Sequence, residues 1–257
     1  CKIESNPSIY HLGYLLGPRI NAGGRVGKCS HGANLLLNKD PKNSFQLALE
    51  LDEYNKERQL LEKDLLQKIL NEAKGYSDDP ALILSGSNWH EGIIGIVAAR
   101  LKDKFNKPVI IISLDGDTGK ASARSIIGFD IGAAIIAATQ ENILLKGGGH
   151  KMAGGFSIKV ENIEKLKDFV FRKFRNINVD LKKERPMLFD SIISPSAINL
   201  EFYNKVALLS PFGSGNPEPK FVIENVKTIN GKIVGEKHVK SVLIGNDGST
   251  IKCIAFN

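Results

Sequence analysis

Cysteine is scarce: three residues in 257, at Cys1, Cys29 and Cys253, far apart and odd in number. That argues against a disulfide framework and against a Cys-x-x-Cys zinc site, and the expected compartment is the reducing cytoplasm. No apolar run reaches the roughly 20 residues of a membrane span, and no basic-then-apolar signal segment opens the chain, so no membrane partner is expected. Asp and His never cluster with metal-ligand spacing, and no Ser-His-Asp or Cys-His set is readable. Asp115 and Asp117 flank Gly116 between two strand candidates, where a β-turn explains them at least as well as a ligand pair. His11, His31 and His238 stand isolated and read as structural or solvated. What remains is binding chemistry without an evident engine for bond cleavage.

A hydrophobic fraction of 42% is enough for real cores, and 35 Lys plus Arg against 28 acids give a net charge of +7. The excess suits a polyanionic partner such as nucleic acid, although simple solubility explains a moderate surplus too. The pattern along the chain is α/β. Residues 1–40 read as the end of a larger unit, with a glycine-rich loop at Leu16–Arg25. Asp40-Pro41 signals a helix start, and Leu47, Leu51, Tyr54, Leu61 and Leu65 carry helical spacing to about Lys74. This long connector helix occupies 41–77. Between 78 and 180 strand and helix signals alternate: strands at Ala81–Ser85, Val109–Ser113, Ala121–Ile126 and Phe156–Val160, helices at Glu91–Phe105, Ile131–Ala138 and Ile163–Phe174. From 181 to 257 a helix at Ile198–Leu209 precedes short strands. Asn230-Gly231 and Asn246-Asp247-Gly248 are hairpin signals, which suits a small β-barrel of OB type. The Cys start and the strand-like last residues, Ile251–Asn257, lead us to expect a fragment at both ends, with a truncated barrel.

Four clusters could carry chemistry. In Lys146-Gly147-Gly148-Gly149-His150-Lys151, glycines remove side chains and permit positive φ, so backbone N–H groups can converge on a phosphate beside an imidazole. The alternative is a plain glycine turn with a solvent-facing His. In Lys120-Ala121-Ser122-Ala123-Arg124, Ser122 and Arg124 share one face of a strand. With the glycine segment they would grip a phosphate by guanidinium, hydroxyl and backbone donors; the alternative is a solvated strand face. Asn88-Trp89-His90-Glu91-Gly92 lies between strand and helix, where ligand sites gather. There Trp89 either stacks a base or anchors the core, and Asn88 or Glu91 caps the helix. Arg19, Asn21 and Arg25 form either a phosphate clamp or pairs with acids of a missing domain.

These segments resemble, in order, the RecJ family of single-strand-specific exonucleases within the DHH phosphoesterase superfamily. Leu16–Arg25 (LGPRINAGGR) is similar to the closing motif of the catalytic DHH domain. Trp89–Leu101 (WHEGIIGIVAARL), Ala121–Ile126 (ASARSI) and Leu145–Phe156 (LKGGGHKMAGGF) are similar to the DHH-associated domain, and Pro211–Phe221 (PFGSGNPEPKF) to the start of the OB-fold. The resemblance implies 5′→3′ hydrolysis of single-stranded DNA with Mn²⁺ or Mg²⁺, in recombination and repair. It implies substrate contacts by Arg19, Asn21, Arg25, His90, Ser122, Arg124, Gly147, Gly148, Gly149 and His150, with His150 supporting catalysis rather than holding metal. The Asp-His-His metal motif is absent, so no metal ligands are expected here and this polypeptide alone is expected to be inactive. Implied partners are single-stranded DNA, the missing DHH domain and single-strand-binding protein. A DHH oligoribonuclease or cyclic-dinucleotide phosphodiesterase shares the GGGH motif but would not need the barrel. A non-catalytic nucleic-acid-binding fragment is the third reading.

Overall fold

A computed structural model describes residues 3, 7–76, 78–177, 187–235 and 238–256. The chain divides into two compact units, one holding residues 10–183 and the other 184–257.

The first unit opens with a π-helical turn, His11–Leu16, and three helices, α1 (Gly17–Val26), α2 (Ser30–Leu37) and α3 (Pro41–Ala73). Leu16–Arg25 is therefore helix, not the glycine-rich loop expected. Pro18 sits in the first turn, where no N–H is needed. The glycines serve close approach. A Cβ on Gly23 would lie 2.6 Å from the Lys28 carbonyl oxygen, and one on Gly32 would lie 2.6 Å from that of Ile20. The α3 start is as predicted: the Asp40 carboxylate accepts from the N–H groups of Lys42 and Asn43, each at 3.2 Å. Arg58, which interrupts the leucine pattern, bonds Asn55 and Glu62, and Arg100 reaches the same Glu62.

A five-stranded sheet follows, built from β1 (Leu82–Ser87), β2 (Val109–Asp115), β3 (Thr118–Arg124), β4 (Lys146–His150) and β5 (Ala153–Lys159) in the order β1-β2-β3-β5-β4. Only the β1–β2 pairing is parallel. Gly116 takes φ +53 between β2 and β3, which places Asp115 and Asp117 at a tight turn. Helix α4 (Glu91–Phe105) lies on β2 and β3, and with α3 it buries Leu82, Leu84, Val109 and Ile111. Helices α5 (Ile131–Gln140) and α6 (Ile163–Arg175) cover the opposite face, burying Ala121, Ala123, Phe156 and Ile158.

The triglycine run is not a turn. Gly147, Gly148 and Gly149 lie in the extended edge strand β4, and none has positive φ. The cause is α5, which presses on the β4–β5 hairpin. A Cβ on Gly147 would lie 2.7 Å from Ile135 Cγ2, one on Gly154 would lie 2.4 Å from Ile135 Cδ1, and one on Gly132 would lie 2.9 Å from the His150 carbonyl. Backbone meets helix there, and only glycine leaves the room.

The second unit contains β6 (Ser191–Ile192), α7 (Leu200–Ala207), β7 (Phe221–Val222), β8 (Lys227–Val234), β9 (His238–Ile244) and β10 (Thr250–Ala255). Strands β8, β9 and β10 form an antiparallel sheet, β6 and β7 a short parallel pair, and the barrel is not closed. Asn230-Gly231, expected as a hairpin turn, instead lies inside β8, where the register shifts between Ile229 and Lys232 and Asn230 has φ +55. A bulge uses the same left-handed freedom without reversing the chain. Asn246-Asp247-Gly248 does turn, between β9 and β10, with Gly248 at φ +76. In the PFGSGNPEP loop, Asn216 Nδ2 donates to the carbonyls of Leu209 (2.9 Å) and Pro211 (3.0 Å). The expected start of this unit at residue 181 lies outside the described residues.

Candidate nucleic-acid interface

The register of β3, β5 and β4 arranges side chains in rows. Residues directly opposite across an antiparallel ladder point to the same face. Arg124 faces Ala153, which faces His150. Ser122 faces Gly155, which faces Gly148. Lys120 faces Ser157, which faces Lys146. All nine positions lie on the face that α4 covers only as far as β3. Beyond α4 the surface is open and forms a cleft of about 590 Å³, whose lining includes Glu91, Lys120, Ser122, Lys146, Gly148 and Gly155.

The floor of this cleft has a feature that packing does not explain. A Cβ on Gly148 would meet nothing within 4 Å, and one on Gly155 only the Ala121 carbonyl at 3.4 Å, an ordinary contact. Neither residue has positive φ. So neither sterics nor backbone conformation calls for glycine at these two positions, unlike Gly147 and Gly154 on the packed face. Their missing side chains leave the sheet backbone bare to whatever enters. As an edge strand, β4 also presents unpaired backbone groups at the rim.

Positive charge borders the floor. Arg124 is half-buried, and its Nη1 donates to Ser122 Oγ (3.1 Å) and to the Ala123 carbonyl (2.8 Å). It has no acidic partner among the described residues, and these bonds leave Nε and Nη2 uncommitted. Burial first, then the positive charge of Arg25, lower its pKa from the ordinary arginine value. The group stays charged at neutral pH, so an anion beside it would relieve both penalties. Gly95 of α4 makes the arrangement possible, since a Cβ there would lie 2.9 Å from Ser122 Oγ and 3.1 Å from Arg124 Nη2. At the N-terminus of α4, His90 Nδ1 accepts from the Gly92 N–H at 3.1 Å, which makes His90 the cap. Arg25 Nη1 donates to the Gly92 carbonyl at 3.2 Å.

The structure thus gathers Ser122, Arg124, Gly148 and His150 on one face, with Gly147 and Gly149 in the same edge strand, and brings the Arg25 charge to Arg124. His90 stands at the adjoining helix end, and Asn21 is exposed one turn before Arg25 on α1. Arg19 is engaged elsewhere: its Nε lies 2.7 Å from Asp52 Oδ1 on α3, and its Nη1 donates to the Leu15 carbonyl. Trp89 is partly buried across Gly86, an anchor at the core edge rather than a free stacking platform. The candidate set lacked Lys120, Lys146, Ser157, Gly155 and Gly95. Lys120 could have been found by extending the two-residue period back from Ser122. Lys146 opens the glycine segment itself; Ser157 and Gly155 need the pairing of β3 with β5 and β4, and Gly95 the packing of α4 on β3, which no local signal gives.

Family models match on both units: a DHHA1 domain over residues 78–176 and a RecJ OB domain over residues 189–257. The chain belongs to the RecJ family. The single-stranded-DNA-specific exonuclease RecJ of Bacillus subtilis is 32% identical over 252 residues, covering 96% of this chain and 32% of that protein. The RecJ of Escherichia coli is 33% identical over 259 residues, covering 96% of this chain and 44% of that protein. The crystal structure of Thermus thermophilus RecJ in complex with Mg²⁺ superposes with a TM-score of 0.82 at 28% identity, covering 97% of this chain and 38% of that one; a Mn²⁺ complex gives 0.80. The chain therefore spans less than half the length of these RecJ relatives. The cleft lies within the DHHA1 domain. Among the described residues, no three His, Cys, Asp or Glu side chains come together as a metal-ligand set, and no helix is long and apolar enough to cross a membrane.

Proposed function

We propose that the DHHA1 cleft binds the phosphodiester backbone of single-stranded DNA, and that this chain is the substrate-holding part of a RecJ-type 5′→3′ exonuclease of recombination and repair, working in the cytoplasm. The observation that carries the reading is the pair Gly148 and Gly155, bare without a packing reason and bordered by Arg124, which lacks an acidic partner among the described residues. A phosphate over this floor can take hydrogen bonds from the Arg124 fork and from Ser122. His150, exposed at the end of β4, is placed to donate from the other side. Arg25, Asn21 and His90 would extend the contact along α1 and the start of α4. Residues 1–40 would be the end of the DHH domain and 41–77 its connector.

Hydrolysis itself belongs to the complete enzyme. The Mg²⁺ or Mn²⁺ of the family would supply the attacking hydroxide from ligands in the DHH domain. The described residues do not fit that role, and the polypeptide alone is expected to bind without cleaving. The RecJ OB domain at 189–257 favours this reading over a phosphodiesterase of short nucleotides. It would hold the strand further along, and single-strand-binding protein would be a partner of the assembly.

The test is binding of a fluorescent oligo(dT) by the whole chain, followed by anisotropy across a salt series. Binding should weaken with a slope of about 0.7 per phosphate neutralised, and Arg124→Ala should reduce affinity tenfold or more with the fold intact. Equal affinity in wild type and variant would remove the cleft from substrate binding.

A further inference from the structure

Rows two residues apart along a strand are about 6.7 Å apart. The Arg124–His150 row and the Lys120–Lys146 row, with the glycine row between them, are therefore about 13 Å apart. That spacing leaves room for one phosphate at each end. The far end is built like the near one: two basic side chains, here Lys120 and Lys146, stand on either side of a small residue, Ser157, which is only partly exposed. Lys146 has no acidic partner among the described residues. Lys120 has one: its Nζ lies 2.8 Å from Glu91 Oε2, in the first turn of α4. Glu91 is the one acid lining the cleft. Both members of that pair are largely exposed, so the contact is weak and exchangeable.

We propose that the Lys120–Lys146 row is a second phosphate station, which takes a different phosphate of the same strand and is partly blocked by Glu91. The inference rests on the binding role assigned to the cleft. A stacked strand advances about 3.4 Å per nucleotide and an unstacked one further, so the stations serve phosphates about two to four nucleotides apart. Glu91 offsets Lys120 and repels an arriving phosphate. It thus lowers the grip on a longer strand while leaving the Arg124 end untouched.

The experiment compares thymidine 5′-monophosphate with 5′-phosphorylated oligo(dT) of increasing length, by calorimetric titration of the whole chain. Lys146→Ala should leave the mononucleotide unaffected and weaken oligomers about three- to tenfold once they exceed two to four nucleotides, with Lys146→Arg restoring them. Glu91→Gln should tighten the oligomers by a similar factor and steepen their salt slope by about 0.7. Lys146 and Glu91 are exposed, so unchanged melting temperatures confirm folding. If Lys146→Ala weakens mononucleotide and oligomer alike, or neither, or if Glu91→Gln fails to tighten oligomers, the second station is overturned. In that case, loss of mononucleotide binding in Arg124→Ala still upholds the cleft as a phosphate site. If Arg124→Ala changes nothing, the cleft reading itself falls.

Discussion

The two faces of the β3–β5–β4 half-sheet are made from alternate residues of the same strands, yet they do opposite work. On one, Ala121, Ala123, Phe156 and Ile158 meet α5 and α6 and are buried; glycines stand where helix and strand backbones touch. On the other, Lys120, Ser122, Arg124 and Ser157 border glycines with open space above them. Glycine therefore carries two meanings one residue apart. At Gly154 it permits packing, and at Gly155 it prevents a side chain from covering the floor. A strand with period two can hold a core on one side and an interface on the other without either constraint disturbing the other.

The largest effect should come from the packed face. Ile158→Ala, at a fully buried position, is expected to cost about 2–5 kcal/mol in urea unfolding. Its neighbour Ser157→Ala should stay within about 0.5 kcal/mol. Comparable losses at both would mean that the open face is covered after all, and the distinction would fail.

The neighbouring glycines sharpen the contrast. Gly154→Ala would place a methyl 2.4 Å from Ile135 Cδ1 and 3.0 Å from the Gly148 carbonyl oxygen, so overpacking should cost about 1–3 kcal/mol while the folded protein still binds DNA. Gly155→Ala should leave stability equal, or raise it by up to about 1 kcal/mol through the unfolded chain, and yet weaken oligo(dT) binding several-fold. Thermal melts and anisotropy on the same two samples decide the matter. Normal DNA binding by Gly155→Ala would leave the bare floor without a purpose.

Much of this fold is legible locally, and the misreadings have one cause. The helix at Glu91–Phe105 is found with the same bounds because periodicity is short-range, although its cap is His90 rather than Asn88 or Glu91. The α3 start follows from Asp40-Pro41 alone. Glycine is where local reading fails. In Leu16–Arg25 and Gly147–Gly149 it reads locally as loop or turn, whereas at Gly23 and Gly147 close packing selects it and at Gly148 nothing crowds it. Asn230-Gly231 supplied the left-handed residue but not the pairing that makes it a bulge. The site was half legible: alternation puts Ser122 beside Arg124, but the row partners of Ser122, Gly155 and Gly148, lie about 26 to 33 residues away in sequence and need the strand order. In the second unit Pro195 is the one buried apolar side chain among the described residues, so turn residues are the main local signal there.

The smallest expected effect separates two arginines that look alike in the sequence. Among the described residues Arg124 has no acidic partner, while Arg19 is braced by Asp52, which also accepts from Lys56 at 2.9 Å. Hydrogen bonds from Lys56 first and Arg19 second hold the Asp52 carboxyl below its ordinary value. A depressed carboxyl pKa stabilises the fold above the unfolded value of about 3.9, and that contribution is lost as pH falls through the folded value. Asp52→Asn should therefore cost a few tenths of a kcal/mol at pH 7, as exposed pairs do. The gap from wild type should shrink as urea titrations move below about pH 3.9. The same substitution releases Arg19. If DNA affinity then stays constant, Arg19 is a brace between α1 and α3. If affinity rises, Arg19 reaches the strand once freed, and the line drawn between the two arginines is misplaced.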